Sequence, residues 1–332
     1  MLSAVIESIV GVIAWERLGK GTNSMARLVF MGTPRFGELV LSALIDRYEI
    51  AGVVTQPDRE AGRGRQMRTS AVKALAQQHG LRVLQPTTLR QPEVLHELAD
   101  LGPDVIVVAA YGKILPASVL ALPRHRCVNV HASLLPRHRG AAPIPAAILA
   151  GDAQTGVTIM IMAEEVDSGP ILGQANVDIA RDDTTGSLTE KLGQLGGMLL
   201  AETLPRWLAG EVTPLPQGSS PTPYARQLRR EDGHIQWGEP AEMIARRCRA
   251  FYPWPGAFTH WGQRQIKVLR ARPQAAESGK APGTVVQVGA QIAVITGRGL
   301  LVLDEFQLAG KRPLPALEFV RGQRAFVGAL LD

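Results

Sequence analysis

Cysteine is nearly absent: the chain holds only Cys127 and Cys248, far apart and with no CxxC or Cys/His pairing. That spacing argues against a disulfide framework and a zinc site, so no metal is expected and a reducing compartment, the cytoplasm, fits best. Long apolar runs are missing as well. The longest, such as Val105 to Ala110, fall far short of the ~20 residues that a membrane-spanning helix needs, and no membrane partner is expected. Familiar nucleotide and hydrolase motifs are also lacking. Gly32-Thr33-Pro34-Arg35-Phe36-Gly37 and Gly62-Arg63-Gly64 do not make the three-glycine dinucleotide fingerprint, and no Gly-Lys pair is followed by Ser or Thr. Neither GxSxG nor HExxH occurs.

What is there reads as a two-domain globular protein. The chain has 332 residues, 45% of them apolar, with mean hydropathy +0.04, a length above that of most single domains. Residues 1–24 carry Val5-Ile6, Ile9-Val10 and Val12-Ile13, but Glu7 interrupts them and no basic residue precedes them, unlike a secretory signal. We read them as an extension, with Met25 starting the first domain. From Met25, strand and helix patterns alternate. Strands are expected at Leu28–Met31, Ile50–Val54, Val83–Leu84, Val105–Ala110, Val128–His131, Gly156–Met162 and Ile171–Ile179, and a closing helix at Leu188–Leu208 after Thr184-Thr185-Gly186-Ser187. This alternation predicts an α/β domain with a doubly wound, mostly parallel sheet over residues 25–210. Residues 211–226, with Pro214, Pro216, Pro221 and Pro223, read as a semi-rigid linker. Beyond it, one helix near Ala241–Phe251 and five short, turn-bounded strands predict a small OB-like β-barrel over residues 227–332.

Charge divides the chain the same way. Residues 206–332 hold 17 Lys+Arg against 10 Asp+Glu, whereas residues 1–205 hold 19 against 20. The excess sits beside a catalytic-looking domain, which favours nucleic acid as partner over a merely solvated face, because counterion release from phosphates rewards such a surface. Arg226, Arg229, Arg230, Arg246, Arg247 and Arg249 form its densest cluster. A second basic segment, residues 56–68 with Arg63, Arg65 and Arg68, is longer than a routine strand-to-helix connection and is a further candidate for RNA contact.

The chemistry concentrates in Val128-Asn129-Val130-His131-Ala132-Ser133-Leu134-Leu135-Pro136. Strand alternation sends Asn129 and His131 to one face at the carboxyl end of a strand, where open α/β sheets carry ligand crevices. A carboxylate to serve the histidine is offered by Asp167, in the turn Asp167-Ser168-Gly169; Glu164 and Glu165 are rivals outside that turn. On spacing alone, Asn-x-His fits a buried, satisfied histidine equally well. His125 and His138 flank the strand in arginine-rich loops and read as surface residues.

Taken together, Asn129 to Pro136, Arg139-Gly140-Ala141-Ala142-Pro143-Ile144, Gly156-Val157-Thr158-Ile159-Met160 and Asp167-Ser168-Gly169 closely resemble the 10-formyltetrahydrofolate-dependent formyltransferases. Thr55-Gln56-Pro57-Asp58-Arg59, Ala109 to Pro116 and Arg249 to Pro255 extend the likeness, which runs from about Met25 to Phe306 and beyond. The resemblance implies a Rossmann-like formyltransferase domain, an OB-like second domain, and 10-formyltetrahydrofolate as formyl donor. The implied acceptor is the α-amino group of initiator methionyl-tRNA. It assigns catalysis to Asn129, His131 and Asp167, and folate binding to Ser133, Leu134, Leu135 and Pro136 with Tyr111 and Gly112. It places Arg63, Arg65, Arg68, Arg229, Arg230, Arg246, Arg247 and Arg249 on the tRNA. Formyl transfer develops an oxyanion that an amide donor and an imidazolium can stabilise, and the imidazole can manage the amine proton. Ala132 stands where the family often has glycine. Relatives acting on a purine-pathway amine or a sugar nucleotide would share only the first domain. A noncatalytic RNA-binding relative would tolerate loss of Asn129 or His131, and both are present. No obligate protein partner is implied and a monomer is expected.

Overall fold

The computed structural model describes residues 26–61 and 66–332; the extension at residues 1–24 and the predicted RNA contacts Arg63 and Arg65 lie outside the described residues. Leu28, Val29, Phe30 and Met31 are four successive apolar residues with no exposure, which marks a strand covered on both faces. They form β1 (Arg27–Gly32), the first strand of a seven-stranded sheet. Its other members are β2 (Glu49–Val54), β5 (Val83–Leu84), β6 (Val105–Ala109), β7 (Cys127–His131), β8 (Gln154–Ile161) and β9 (Ile171–Asp178). Residues 56–68 supply β3 (Arg59–Ala61) and β4 (Gln66–Arg68), an antiparallel pair apart from the sheet.

The strand order is β5-β2-β1-β6-β7-β8-β9, parallel through β7 and antiparallel for β8 and β9. The chain winds outward from β1 to β5, then returns to β6 on the other side of β1. That reversal opens a crevice beyond the carboxyl ends of β1 and β6, with β7 alongside. Alternation along β7 sets the site's direction. Val128 and Val130 pack with Leu188, Leu192 and Leu200 of the helix Thr185–Leu208, so Asn129 and His131 face away from that helix. The approach is close: a Cβ on Gly196 would stand 2.9 Å from Val130 Cγ1. The helix starts one turn earlier than Leu188 because the Thr184 Oγ1 accepts from the Ser187 amide at 3.1 Å while the Ser187 Oγ accepts from the Thr184 amide at 2.9 Å.

Residues 211–226 run along the first domain. Leu215 exchanges two backbone hydrogen bonds with Ile171, each 2.8 Å, and the Ala225 amide donates to the Arg139 carbonyl at 2.7 Å. The second domain is an antiparallel sheet of β10 (Ala257–Trp261), β11 (Arg264–Gln274), β12 (Val285–Val288), β13 (Gln291–Ile295) and β14 (Leu300–Leu308), with β15 (Leu314–Pro315) pairing β14. β10 and β12 end the strand path, and Trp261, Phe306, Phe319 and Phe326 stack edge to face and tilted in its core. The helix Ala241–Ala250 docks this domain on the first. The Thr185 Oγ1 donates to the Ala250 carbonyl at 2.6 Å, and Ala250 and Phe251 enter the first domain's core. Burial pushes both cysteine thiols up to about 12, which leaves them inert core residues.

Candidate active site

His131 ends β7 with a side chain only 6% exposed. Its Nε2 lies 3.1 Å from the His138 carbonyl oxygen, an acceptor that can only receive, so Nε2 carries a hydrogen and donates it. Nδ1 is left as the nitrogen able to exchange a proton. It faces the Asp167 Oδ2 at 3.6 Å, outside hydrogen-bond length but within ion-pair range once the ring is protonated. The ring is thus oriented by a backbone carbonyl, and the carboxylate waits on the other side. Asn129, two residues earlier on the same face, is 8% exposed. Among the described residues its side-chain amide has no hydrogen-bond partner, and it is not among the fully buried unpartnered polar atoms, so it stays open to solvent or to a ligand.

Asp167 reaches this point from the loop between β8 and β9, and the Gly140 amide donates to its Oδ2 at 2.8 Å. Glu164 and Glu165 are exposed on the same loop. Geometry therefore separates the three carboxylates that spacing left as rivals. Gly169 closes the turn because a Cβ there would collide with the Ile161 carbonyl oxygen.

The turn after β7 is built from its own polar groups. Ser133 is fully buried and its Oγ donates to the Arg137 carbonyl at 2.6 Å, so the hydroxyl closes a turn and is no nucleophile. The Thr158 Oγ1 donates to the Ser133 carbonyl at 2.7 Å and accepts from the Leu135 amide at 3.0 Å, while the Gln174 Nε2 donates to the Leu135 carbonyl at 2.8 Å. Thr158 and Gln174 are positioning residues to which sequence reading gave no role; they stand directly opposite each other on β8 and β9, a pairing visible only once the strand register is known. Leu135 is buried, and Leu134 and Pro136 are half-buried on the outer side of the turn. Tyr111 is 1% exposed and its hydroxyl, buried among β6-side apolar residues, has no partner among the described residues; burial pushes it up to about 12. Its carbonyl accepts from the Thr33 Oγ1 at 3.1 Å and from the Gln56 Nε2 at 2.8 Å, and Gly112 follows at φ +78°. Tyr111 therefore faces the core with its ring and the loop with its backbone.

His138 corrects the surface reading given to it above. It is 4% exposed, and its Nε2 sits 2.7 Å from the Asp152 Oδ2, a carboxylate that also binds the Arg137 Nε at 2.9 Å. Burial tends to raise that carboxyl, but the hydrogen bonds from Arg137 and His138 outweigh it and hold Asp152 below the ordinary range. A cavity of about 580 Å³ lies behind this turn, between it and the second domain, lined by His138, Tyr224, Arg226, Arg247 and Phe251 among others; Asn129, His131 and Asp167 are not in its wall.

The arginines divide into two groups. Arg68, Arg229 and Arg230 are exposed. Arg226 pairs with Asp232, and Arg247 with Glu239 at 2.8 Å. The Arg246 guanidinium packs where a Cβ on Gly151 would stand, and the Arg249 Nη1 donates to the Asp183 carbonyl at 2.9 Å between the two domains. Burial and the neighbouring Arg246 lower Arg249 from its usual value.

A switch-point crevice holding an unpartnered amide, a carbonyl-anchored imidazole and a facing carboxylate is suited to acyl transfer without a nucleophilic hydroxyl. Comparison gives that class a family. Residues 26–204 match the formyl transferase model and residues 227–324 match the model of its C-terminal domain. The methionyl-tRNA formyltransferase of Roseiflexus castenholzii is 49% identical over 92% of this chain and 98% of its own, and that of Myxococcus xanthus is 48% identical over 92% and 98%. The chain belongs to the methionyl-tRNA formyltransferase family. Among solved structures, HypX from Aquifex aeolicus in complex with tetrahydrofolic acid shares the fold at TM-score 0.60 and 18% identity, over 92% of this chain and 48% of that one. The sugar 3N-formyl transferase WlaRD does so at TM-score 0.62 and 15% identity, over 87% and 100%.

Proposed function

We propose that the protein transfers the formyl group of 10-formyltetrahydrofolate to the α-amino group of initiator methionyl-tRNA, with Asn129, His131 and Asp167 as its catalytic residues. Family membership supports the reaction. The observation that carries the site is the imidazole of His131, donating from Nε2 to the His138 carbonyl and presenting Nδ1 toward Asp167 at 3.6 Å. The amine nitrogen bonds to the formyl carbon, the bond from that carbon to the folate nitrogen breaks, and one proton leaves the amine while one reaches the folate nitrogen. His131 Nδ1 takes the amine proton, and Asp167 balances the imidazolium so formed. The Asn129 amide donates to the formyl oxygen as negative charge develops there, a role its unpartnered state leaves it free to fill.

The donor has a place to sit. The turn Ser133–Pro136 is locked from behind by Thr158 and Gln174, leaving Leu134 and Pro136 half-buried at its surface. Ile114 and Val166, 74% and 41% exposed on loops that flank the crevice, supply apolar surface of the kind that a pteridine ring requires. The exposed Arg229 and Arg230, with Arg68, are the side chains freest to meet tRNA phosphates; Arg63 and Arg65, outside the described residues, keep the tRNA role that the resemblance implies. Arg246 and Arg249 reach the first domain, at Gly151 and Asp183, whereas Arg247 pairs with Glu239 inside the second. No helix among the described residues is long and apolar enough to cross a membrane. The translation-related relatives support action in the cytoplasm, and the two apolar cores formed within one chain support a monomer.

A formylation assay tests the reaction. Offered 10-formyltetrahydrofolate with charged initiator tRNA, elongator methionyl-tRNA or glycinamide ribonucleotide, the protein formylates the initiator in preference to the other two. Transfer to the glycinamide substrate alone would mean that the acceptor is wrong.

A further inference from the structure

Asp167 stands at φ +52°, a left-handed backbone that costs a carboxylate-bearing residue free energy unless its surroundings impose it. Its side chain is gripped by the Gly140 amide. Its main chain is gripped from elsewhere, by Gln217 in the proline-rich segment. The Gln217 Nε2 donates to the Asp167 carbonyl at 3.0 Å and to the Gly169 carbonyl at 2.6 Å. Its Oε1 accepts from the Arg139 Nε at 3.1 Å and Nη2 at 2.9 Å. Both amide hydrogens and both lone pairs are thereby used, and since guanidinium only donates and carbonyls only accept, the amide has one possible orientation. Arg139 is itself pinned, its Nη2 donating to the Gly218 carbonyl at 3.0 Å and its own carbonyl accepting from the Ala225 amide at 2.7 Å. The residue after it is Gly140, the one that holds the Asp167 carboxylate.

These bonds close a circuit. One amide side chain grips the backbone of Asp167 and, through Arg139, the loop whose next residue grips its carboxylate. Gln217 is half-exposed, belongs to neither apolar core, and sits between Pro216 and Gly218, so the circuit is what its side chain contributes. We propose that Gln217 is a positioning residue for Asp167, fixing the carboxylate against His131 by tying the β8–β9 turn to the loop after β7. The inference rests on the catalytic reading of Asp167 given above.

The test is a double-mutant cycle. Gln217→Leu removes all four hydrogen bonds at similar volume. Gln217→Glu keeps the acceptor for Arg139 but replaces two donors by an anion facing two carbonyls. Each is made in the wild-type and Asp167→Ala backgrounds and assayed by single-turnover formylation of initiator methionyl-tRNA, with KM for 10-formyltetrahydrofolate and thermal melting in parallel. In the wild-type background we expect kcat to fall roughly 10- to 100-fold for both variants, with KM for the folate changed less than about twofold. In the Asp167→Ala background the same substitutions should change kcat less than about twofold. Equal losses in the two backgrounds, or a loss confined to KM, would overturn the proposal. Undiminished kcat in Asp167→Ala alone is a different result, and it removes the catalytic reading before Gln217 is considered. Should the leucine variant not fold, the glutamate variant, which retains the Arg139 contacts, supplies the same comparison.

Discussion

Replacing Asp152 by Asn tests how far the turn that orients His131 depends on one buried charge. Asp152 follows the helix Pro143–Ala150 and receives the Arg137 guanidinium through both Nε and Nη2 and the His138 ring at 2.7 Å; its side chain is 13% exposed, that of His138 6% and that of Arg137 38%. Asn keeps the volume, so no cavity contributes. Hydrogen bonds to a charged group are worth ~1.5–3 kcal/mol net, and the Arg137 share is discounted because that side chain is more than a third exposed. The substitution should therefore cost about 3 kcal/mol, a fall in melting temperature of ~6–12 °C for a domain of this size. The pH dependence has a definite sign. The folded-state carboxyl lies below the ordinary aspartate value of 3.8, so its stabilisation is fully present above about that pH and is lost as pH falls through the lower folded value. Urea unfolding followed by tryptophan fluorescence between pH 7 and pH 3 should show the full gap between wild type and Asp152→Asn at neutrality, narrowing in acid. A gap below about 1 kcal/mol at pH 7, or one that does not narrow in acid, would refute the assigned network.

Two further substitutions separate chemistry from scaffold. Asn129→Ala should lower kcat by ~10²–10³ while leaving the melting temperature within a degree or two, because the amide donates to developing charge and to no protein group; a melting temperature that falls with kcat would mean the amide is structural. The Arg229→Ala, Arg230→Ala double variant should reduce the slope of log(kcat/KM) for tRNA against log salt by about 2, with KM for the folate unchanged. A slope equal to wild type would remove both arginines from the phosphate-binding surface.

The first domain was legible because its pattern is dense. Leu28 to Met31 and Val105 to Ala109 are unbroken apolar runs, and a run of that length bounded by turn residues has few alternatives to a doubly covered strand. Asn129 and His131 were legible for the same reason, since two polar residues inside such a run must have a polar partner or a function. His138 was misread because an arginine-rich neighbourhood looks solvent-facing; Asp152, which neutralises that neighbourhood and buries the ring, lies 14 residues away on the far side of a helix. The second domain's strands were found within a few residues, but the helix Ala316–Gly322 was not, because Phe319 is its only large fully packed side chain and leaves little periodicity to detect.

The proline-rich segment shows a different limit. Pro214, Pro216, Pro221 and Pro223 correctly indicate a chain that joins no helix or sheet interior, and composition goes no further. Whether such a chain is a spacer or a clamp depends on what its few donors and acceptors meet. Here Leu215, Gln217, Thr222 and Ala225 meet Ile171 at the start of β9, Asp167 in the turn before it, and His138 and Arg139 in the loop after β7. The prolines make this economical, because a segment already restricted in φ loses less entropy on being fixed than a glycine- or serine-rich one would. Substituting Pro216 or Pro221 by glycine should therefore loosen the loops at His131 and Asp167 without unfolding either core. The segment that joins the domains thereby also braces the turn that carries Asp167 and the loop that follows His131.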